Sequence, residues 1–149
     1  MISKKDRIYL ASPYTYKHED PMEVVRMQDL RFRGACKAAG WLMCQGYQVF
    51  SPIAATHTIA VRCDLPKDFE YWEKYDYGFI DHYTTAFVVL ALEGWKESVG
   101  VKAEFERAVT IGKTPHLMQP TAQEGYEVKS VSLLSYWWNF ERLIELEAA

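Results

Sequence analysis

Ala86-Phe-Val-Val-Leu-Ala-Leu92 is the stretch that decides the fold. It is apolar at every position and carries β-branched residues at its centre. A strand with one wet face alternates apolar and polar residues; a strand covered on both faces does not. The chain on either side repeats the theme. Arg7–Pro13 (RIYLASP) is a short apolar run ending in small residues and proline, which reads as a buried strand opening into a loop. Pro21 to about Gln45 reads as a long helix, with proline in its first turn and Gly46 just past its end. Gln48–Ile53 is a second strand. Asp64-Leu-Pro66 opens a helix reaching about Tyr83. After the central strand, a helix runs from Ser98 to Ile111 and closes at Gly112. Thr114–Met118 is the next strand, Tyr126–Lys129 a fifth, and Ser132–Glu147 a final amphipathic helix.

Strands thus alternate with helices. The fold class expected is α/β, a single open doubly wound (flavodoxin- or Rossmann-like) domain over 1–149 with a parallel sheet of four to five strands. Ligands of such sheets bind beyond the carboxyl ends of the strands. The segments to inspect are therefore 11–18, 52–63, 91–100 and 117–125.

Composition narrows the function classes. The 149 residues are 49% hydrophobic and 25% charged, with a formal net charge of −3. That is a globular composition, and it lacks the basic excess of a nucleic-acid binder. No apolar run approaches the ~20 residues of a membrane span. The opening Met1–Arg7 is no signal peptide. Cys36, Cys44 and Cys63 are odd in number and lack CxxC spacing, so buried free thiols in the cytoplasm are expected. The four histidines are scattered, and we expect neither a metal nor a cofactor.

Two carboxylates stand out by phase. At about 100° per residue, Phe69, Trp72, Phe79, Ile80 and Tyr83 share one stripe of the helix before the central strand. Asp76 falls near the middle of that stripe, and Asp81 opposite. A carboxylate on an apolar face is desolvated or paired. Its structural alternative is a cap or a pair with a core arginine. On the helix 98–111, Val101, Phe105, Ala108 and Val109 form the core stripe, and Glu104 sits at its border. Its structural alternative is a salt bridge, with Arg107 for example. Glu97, Lys102 and Glu106 read as solvated charges.

The loop Glu93-Gly-Trp-Lys-Glu-Ser-Val-Gly100 leads into that helix. Gly94, Ser98 and Gly100 there suit an anion, since free amides and the helix dipole point outward. An N-cap serine with turn glycines reads the same way. Tyr9, Tyr14 and Trp95 are aromatics that could stack on a base, or pack in the core or at its rim. His57, after Ser51-Pro-Ile-Ala-Ala-Thr, could bond a sugar or phosphate, or close the loop.

In order, IYLASPY, FSPIAATH, Asp76 and LEGWKESVGVKAEFERAVTIGK resemble the nucleoside 2-deoxyribosyltransferase-like superfamily. Ser98-x-Gly100-Val101-x-x-Glu104 is similar to the catalytic segment of 2'-deoxynucleoside 5'-phosphate N-hydrolases. The LxGWxxSxGVxxE form is closer still to a bacterial and phage family catalogued as a domain of unknown function. The likeness spans about 7–118. It implies that Glu104 is the nucleophile, Asp76 an auxiliary acid, and Tyr9 a tyrosine beside the catalytic carboxylates. It implies that Ser98 and Gly100 hold a 5'-phosphate. The Ala11-Ser12-Pro13 turn, with Tyr14 after it, resembles the AGP turn of the transferases. The N-hydrolases carry a serine and an arginine where this chain reads Pro13-Tyr14-Thr15. Lys17 and Arg62 are the cations considered in that arginine's place.

The expectation is an N-glycosidase of a nucleoside or nucleotide. Its alternatives are a base-exchanging deoxyribosyltransferase, a non-catalytic nucleotide-binding module, and cleavage of a larger nucleotide. The expected partner is a small-molecule nucleoside or nucleotide, not nucleic acid or membrane. The resemblance implies a homo-oligomer, and Trp137, Trp138 and Phe140 are candidate interface aromatics or, equally, pack the last helix onto its own sheet.

Overall fold

The computed structural model describes residues 1–130. Its strands are β1 (Arg7–Ala11), β2 (Gln48–Phe50), β3 (Ala86–Leu90), β4 (Pro115–Pro120) and β5 (Tyr126–Ser130). They form one sheet in the order β2-β1-β3-β4-β5. The first four strands are parallel, with Tyr9 facing Phe50 on one side and Phe87 on the other. β5 runs antiparallel to β4, which corrects the all-parallel expectation. The cause is the short turn between them, closed by Thr121 N–H donating to Gly125 O at 2.9 Å. A parallel return needs a crossover of a dozen residues or more. The result is a Rossmann-like α/β fold with a mostly parallel five-stranded sheet.

Among the described residues four α-helices connect the strands: α1 (Pro21–Cys44), α2 (Pro52–Arg62), α3 (Phe69–Gly78) and α4 (Val99–Thr110). Each begins on a side-chain cap. Asp20 accepts from Met22 N at 2.9 Å, Ser51 from Ala54 N at 3.2 Å, Asp68 from Tyr71 N at 2.9 Å and Ser98 from Val101 N at 3.2 Å. α2 replaces what the sequence suggested was the end of a strand and a loop. Ser51-Pro52 is an N-cap followed by proline at the first helical position, and it ends β2 early. α3 starts at Phe69 rather than near Asp64, because Asp68 is the residue that caps it.

α3 runs directly into a π-helical turn, Phe79–Tyr83. The wider turn shifts the helical phase, so Tyr83 leaves the apolar stripe and is 48% exposed. Lys113 Nζ donates to the carbonyls of Ile80 and Thr84, which this turn leaves open. Arg107 forks onto Asp81 at 2.8 and 2.5 Å and ties the turn to α4.

The core divides along β1. Ile8 and Leu10 pack with Ala38, Leu42, Val88 and Leu90 on the α1 side. Tyr9 and Ala11 pack with Ile80, Phe87, Val101 and Phe105 on the α4 side. Cys36, Cys44 and Cys63 are exposed, not buried. Small residues (Ala35, Ala38 and Ala39) fill the inward stripe of α1, and its cysteines fall outside that stripe. The helix expected over 132–147, with Trp137, Trp138 and Phe140, lies outside the described residues. Among the described residues no helix is long and apolar enough to cross a membrane.

Candidate active site

A cleft opens beyond the carboxyl ends of β1 and β3, where the strand order reverses. Ser12 and Tyr14 reach it from the loop after β1. His57 comes from α2, Asp76 from α3, and Ser98, Gly100 and Glu104 from the start of α4.

Glu104 is 5% exposed and Asp76 7% exposed. The Tyr9 hydroxyl donates to Glu104 Oε2 from beneath. Tyr9 itself is fully buried and stacked on Phe87 at 5.7 Å between ring centroids. No hydrogen bond or ion pair holds Asp76 among the described residues. Arg107, the alternative partner for Glu104, is taken by Asp81. Neither carboxylate is therefore ion-paired among the described residues.

That setting changes their acidity. Burial pushes the Asp76 carboxyl up to about 7. Burial, and then the charge of Asp76, push Glu104 well above the usual carboxylate range, while the Tyr9 hydrogen bond pulls the other way. Burial and both carboxylates hold the Tyr9 phenol neutral. Like charges in one dry site titrate as a pair.

Across the cleft, Tyr14 Oη and His57 Nδ1 are 2.6 Å apart. Burial pushes the Tyr14 phenol up to about 12 and lowers the His57 imidazole. Phe32 stacks on the outer face of His57 at 4.4 Å. Ser12 is 4% exposed, and its hydroxyl has no hydrogen-bond partner. A buried unpaired hydroxyl is costly unless something else bonds it.

Three expected site residues lie elsewhere. Pro13 is buried behind the loop and does not line the cleft. Trp95 is 6% exposed and packs in the core with Tyr9, Val101 and Phe105, so no base can stack on it. Its 3₁₀ turn, Trp95–Glu97, follows Gly94 at φ +87°, which directs the chain inward. Gly94 lines an adjoining groove instead, as does Lys17. Arg62 is exposed and lines neither.

The cation in the cleft is Lys67, and Phe69 and Trp72 line it beside Tyr14 and His57. Trp72 Nε1 donates to Pro66 O at 2.8 Å, which sets its indole. Phe69 closes over Gly100, where a Cβ would stand 3.3 Å from its ring. Phe69 and Trp72 were legible only as part of a core stripe. Arg31 was missed altogether. It lies on the inward row Gln28, Arg31, Ala35, Ala38, Leu42 of α1, a 3–4 spacing that could have singled it out. Among the described residues no group of three or more His, Cys, Asp or Glu is placed to hold a metal ion.

The sequence matches a family described as Domain of unknown function (DUF1937) over residues 6–119. No curated protein matches it.

Proposed function

We propose that this chain, which belongs to the DUF1937 family, is an N-glycosidase that cleaves the base–sugar bond of a nucleoside or nucleotide. The observation that carries the reading is the pair of buried carboxylates facing one cleft, neither of them ion-paired among the described residues and only Glu104 held by a hydroxyl donor. The reaction uses that asymmetry. The Tyr9 hydroxyl and the positive charge that develops at the anomeric carbon both favour the charge on Glu104, which leaves the proton shared by the pair on Asp76 in the reacting complex. Glu104 attacks the anomeric carbon as the glycosidic bond breaks. The bonding electrons leave with the base, which takes its proton from Asp76. Asp76, now ionised, removes a proton from water. The hydroxide formed displaces Glu104 and releases the free sugar. If a second base enters in place of water, the same intermediate gives exchange.

The other residues bind. Ser12 offers its unpaired hydroxyl to the sugar, Phe69 and Trp72 flank the base, and Tyr14 with His57 faces it. Ser98 and Gly100 open α4 toward a phosphate. The open doubly wound sheet supplies the crevice. Self-association belongs to the same proposal. Tyr71, Tyr75 and Tyr83 stand 50%, 44% and 48% exposed along the outer side of α3 and its π-turn. Sedimentation velocity tests that ridge against Tyr75→Glu. Exposed free thiols suit a reducing cytoplasm.

Base release by chromatography tests the function. The panel is nucleosides, deoxynucleosides and their 5'-monophosphates, with and without a competing free base. Release lost in Glu104→Gln supports the glycosidase. Exchange that needs added base makes it a transferase. A thermal shift without turnover makes it a binding module.

A further inference from the structure

The cleft does not end at α4. A groove continues past the helix N-terminus, and the two share Thr15, Asp68, Phe69, Ser98 and Gly100. Ser98 satisfies the amides of Val101 and Lys102, at 3.2 and 3.1 Å. The Val99 and Gly100 amides in the same turn make no bond among the described residues. They stand at the junction of cleft and groove, at the positive end of the helix dipole.

Arg31 is the second observation at that junction. It lines the groove and is 9% exposed. Its Nη1 donates to Thr15 O at 2.7 Å and to Tyr14 O at 3.4 Å, and its Nη2 to Glu93 O at 3.3 Å. Its Nε has no partner. No carboxylate stands within ion-pair distance among the described residues. The guanidinium bonds only carbonyls, with the Glu93 and Glu97 charges acting on it from beyond ion-pair distance, so no anion among the described residues touches it and its charge favours one at the junction. Gly94 makes room for it, since a Cβ there would lie 2.3 Å from Nη2.

Beyond the junction the groove changes sign. Glu70, Glu93 and Glu97 line it, with Lys17 as the one cation beside Arg31. A terminal phosphate needs nothing past the junction. A second or third phosphate would meet three carboxylates. Hydroxyl groups would find acceptors there.

We propose that the groove holds a hydroxyl-bearing group esterified through the substrate's phosphate. The substrate is then a nucleoside 5'-phosphoester larger than a mononucleotide. This rests on the glycosidase reading for the place of the nucleoside.

Calorimetry on Glu104→Gln separates the two, because it reads binding without turnover. The probes are deoxyadenosine and deoxycytidine 5'-monophosphates, their 5'-triphosphates, and their 5'-glycerophosphate esters. The ester is expected to bind about tenfold tighter than the monophosphate, and the triphosphate weaker than either. In a Glu70→Ala/Glu93→Ala/Glu97→Ala background the ester-to-monophosphate ratio falls to about one. A monophosphate that binds as tightly as its ester overturns the proposal, as does an ester advantage that survives the triple variant. Base release by the wild-type protein from the monophosphate would leave the glycosidase reading standing in that case. An ester preference without base release from any probe would support the groove and sink the glycosidase. Binding of no probe overturns both.

Discussion

Ile8 and Leu10 point to one side of β1, Tyr9 and Ala11 to the other, and the two sides are built differently. The α1 side packs aliphatic chains from β1, β3 and α1, with His116 buried on β4 and with Gln28 and Arg31 buried on the first half of α1's inward row, outside that aliphatic cluster. The α4 side packs apolar residues just as tightly and also buries two carboxylates and a phenol. Apolar burial lowers the free energy of the fold; ionisable burial raises it. The α1 side therefore holds the chain together, and the α4 side keeps groups that the fold would be more stable without. Sites retained at a cost to stability are where function is expected.

The largest expected effect breaks the comparison on the α4 side. Glu104→Gln is expected to lower base release by about a thousandfold or more, the scale of losing a nucleophile. Its thermal midpoint at pH 8 should equal or exceed that of the parent. Retained turnover would remove Glu104 from the mechanism. On the α1 side the signs reverse. Leu90→Ala removes a fully buried side chain and is expected to cost roughly 3 kcal/mol in urea unfolding. Base release per folded molecule should stay within about twofold.

Asp76→Asn gives the pH form of the same contrast. Below about pH 4 the aspartic acid is protonated in both folded and unfolded chains, and burial carries no ionic penalty. As pH rises toward about 7, the unfolded chain ionises and the folded one does not, so the parent loses stability across that window. The variant does not. The expected gap at pH 8 is roughly 2 kcal/mol, about half of what such a shift carries for a lone group, because Glu104 shares the charge. Parallel stability curves from pH 4 to pH 8 would show that Asp76 is not desolvated.

Tyr9→Phe keeps the stacking on Phe87 and removes the donor to Glu104. Glu104 then loses the contact that favours its charge, and the acid limb of the pH–rate profile should move upward. Activity should fall roughly tenfold to a hundredfold, within the range of a lost charge-assisted hydrogen bond. Ser12→Ala is the smallest change. With no partner to lose, it should leave stability within about 0.5 kcal/mol or raise it, while KM rises a few-fold. A loss of several kcal/mol would mean that the hydroxyl is bonded within the fold.

Local signals settled much of this molecule. The unbroken apolar run at β3 implied a strand covered on both faces, and its neighbours implied the parallel order around it. The phase of Asp76 within its helix implied burial, because helical spacing alone brings it among apolar residues. Ser98 was legible as a cap and Glu104 as a boundary residue. α2 was missed although Ser51-Pro52 announces it, because a short apolar strand and a capped helix begin with similar residues. β5 reversed direction because turn length, not strand composition, sets whether a strand returns parallel. Trp95 was misplaced because an aromatic in a glycine-bounded loop has no period to show which way it faces.

The sequence by itself determined the alternation of elements and the faces of its helices, since hydrophobic period and capping act over a few residues. The resemblance already implied a tyrosine beside the carboxylates, but only the tertiary structure decided that the Tyr9 hydroxyl donates to Glu104, 95 positions away. It also decided that Tyr14 meets His57, that Arg107 is spent on Asp81, and that Ser12 and Arg31 keep unpaired polar atoms. Pairing and desolvation depend on which side chains converge from different strands and helices, and that convergence is a property of the packed sheet.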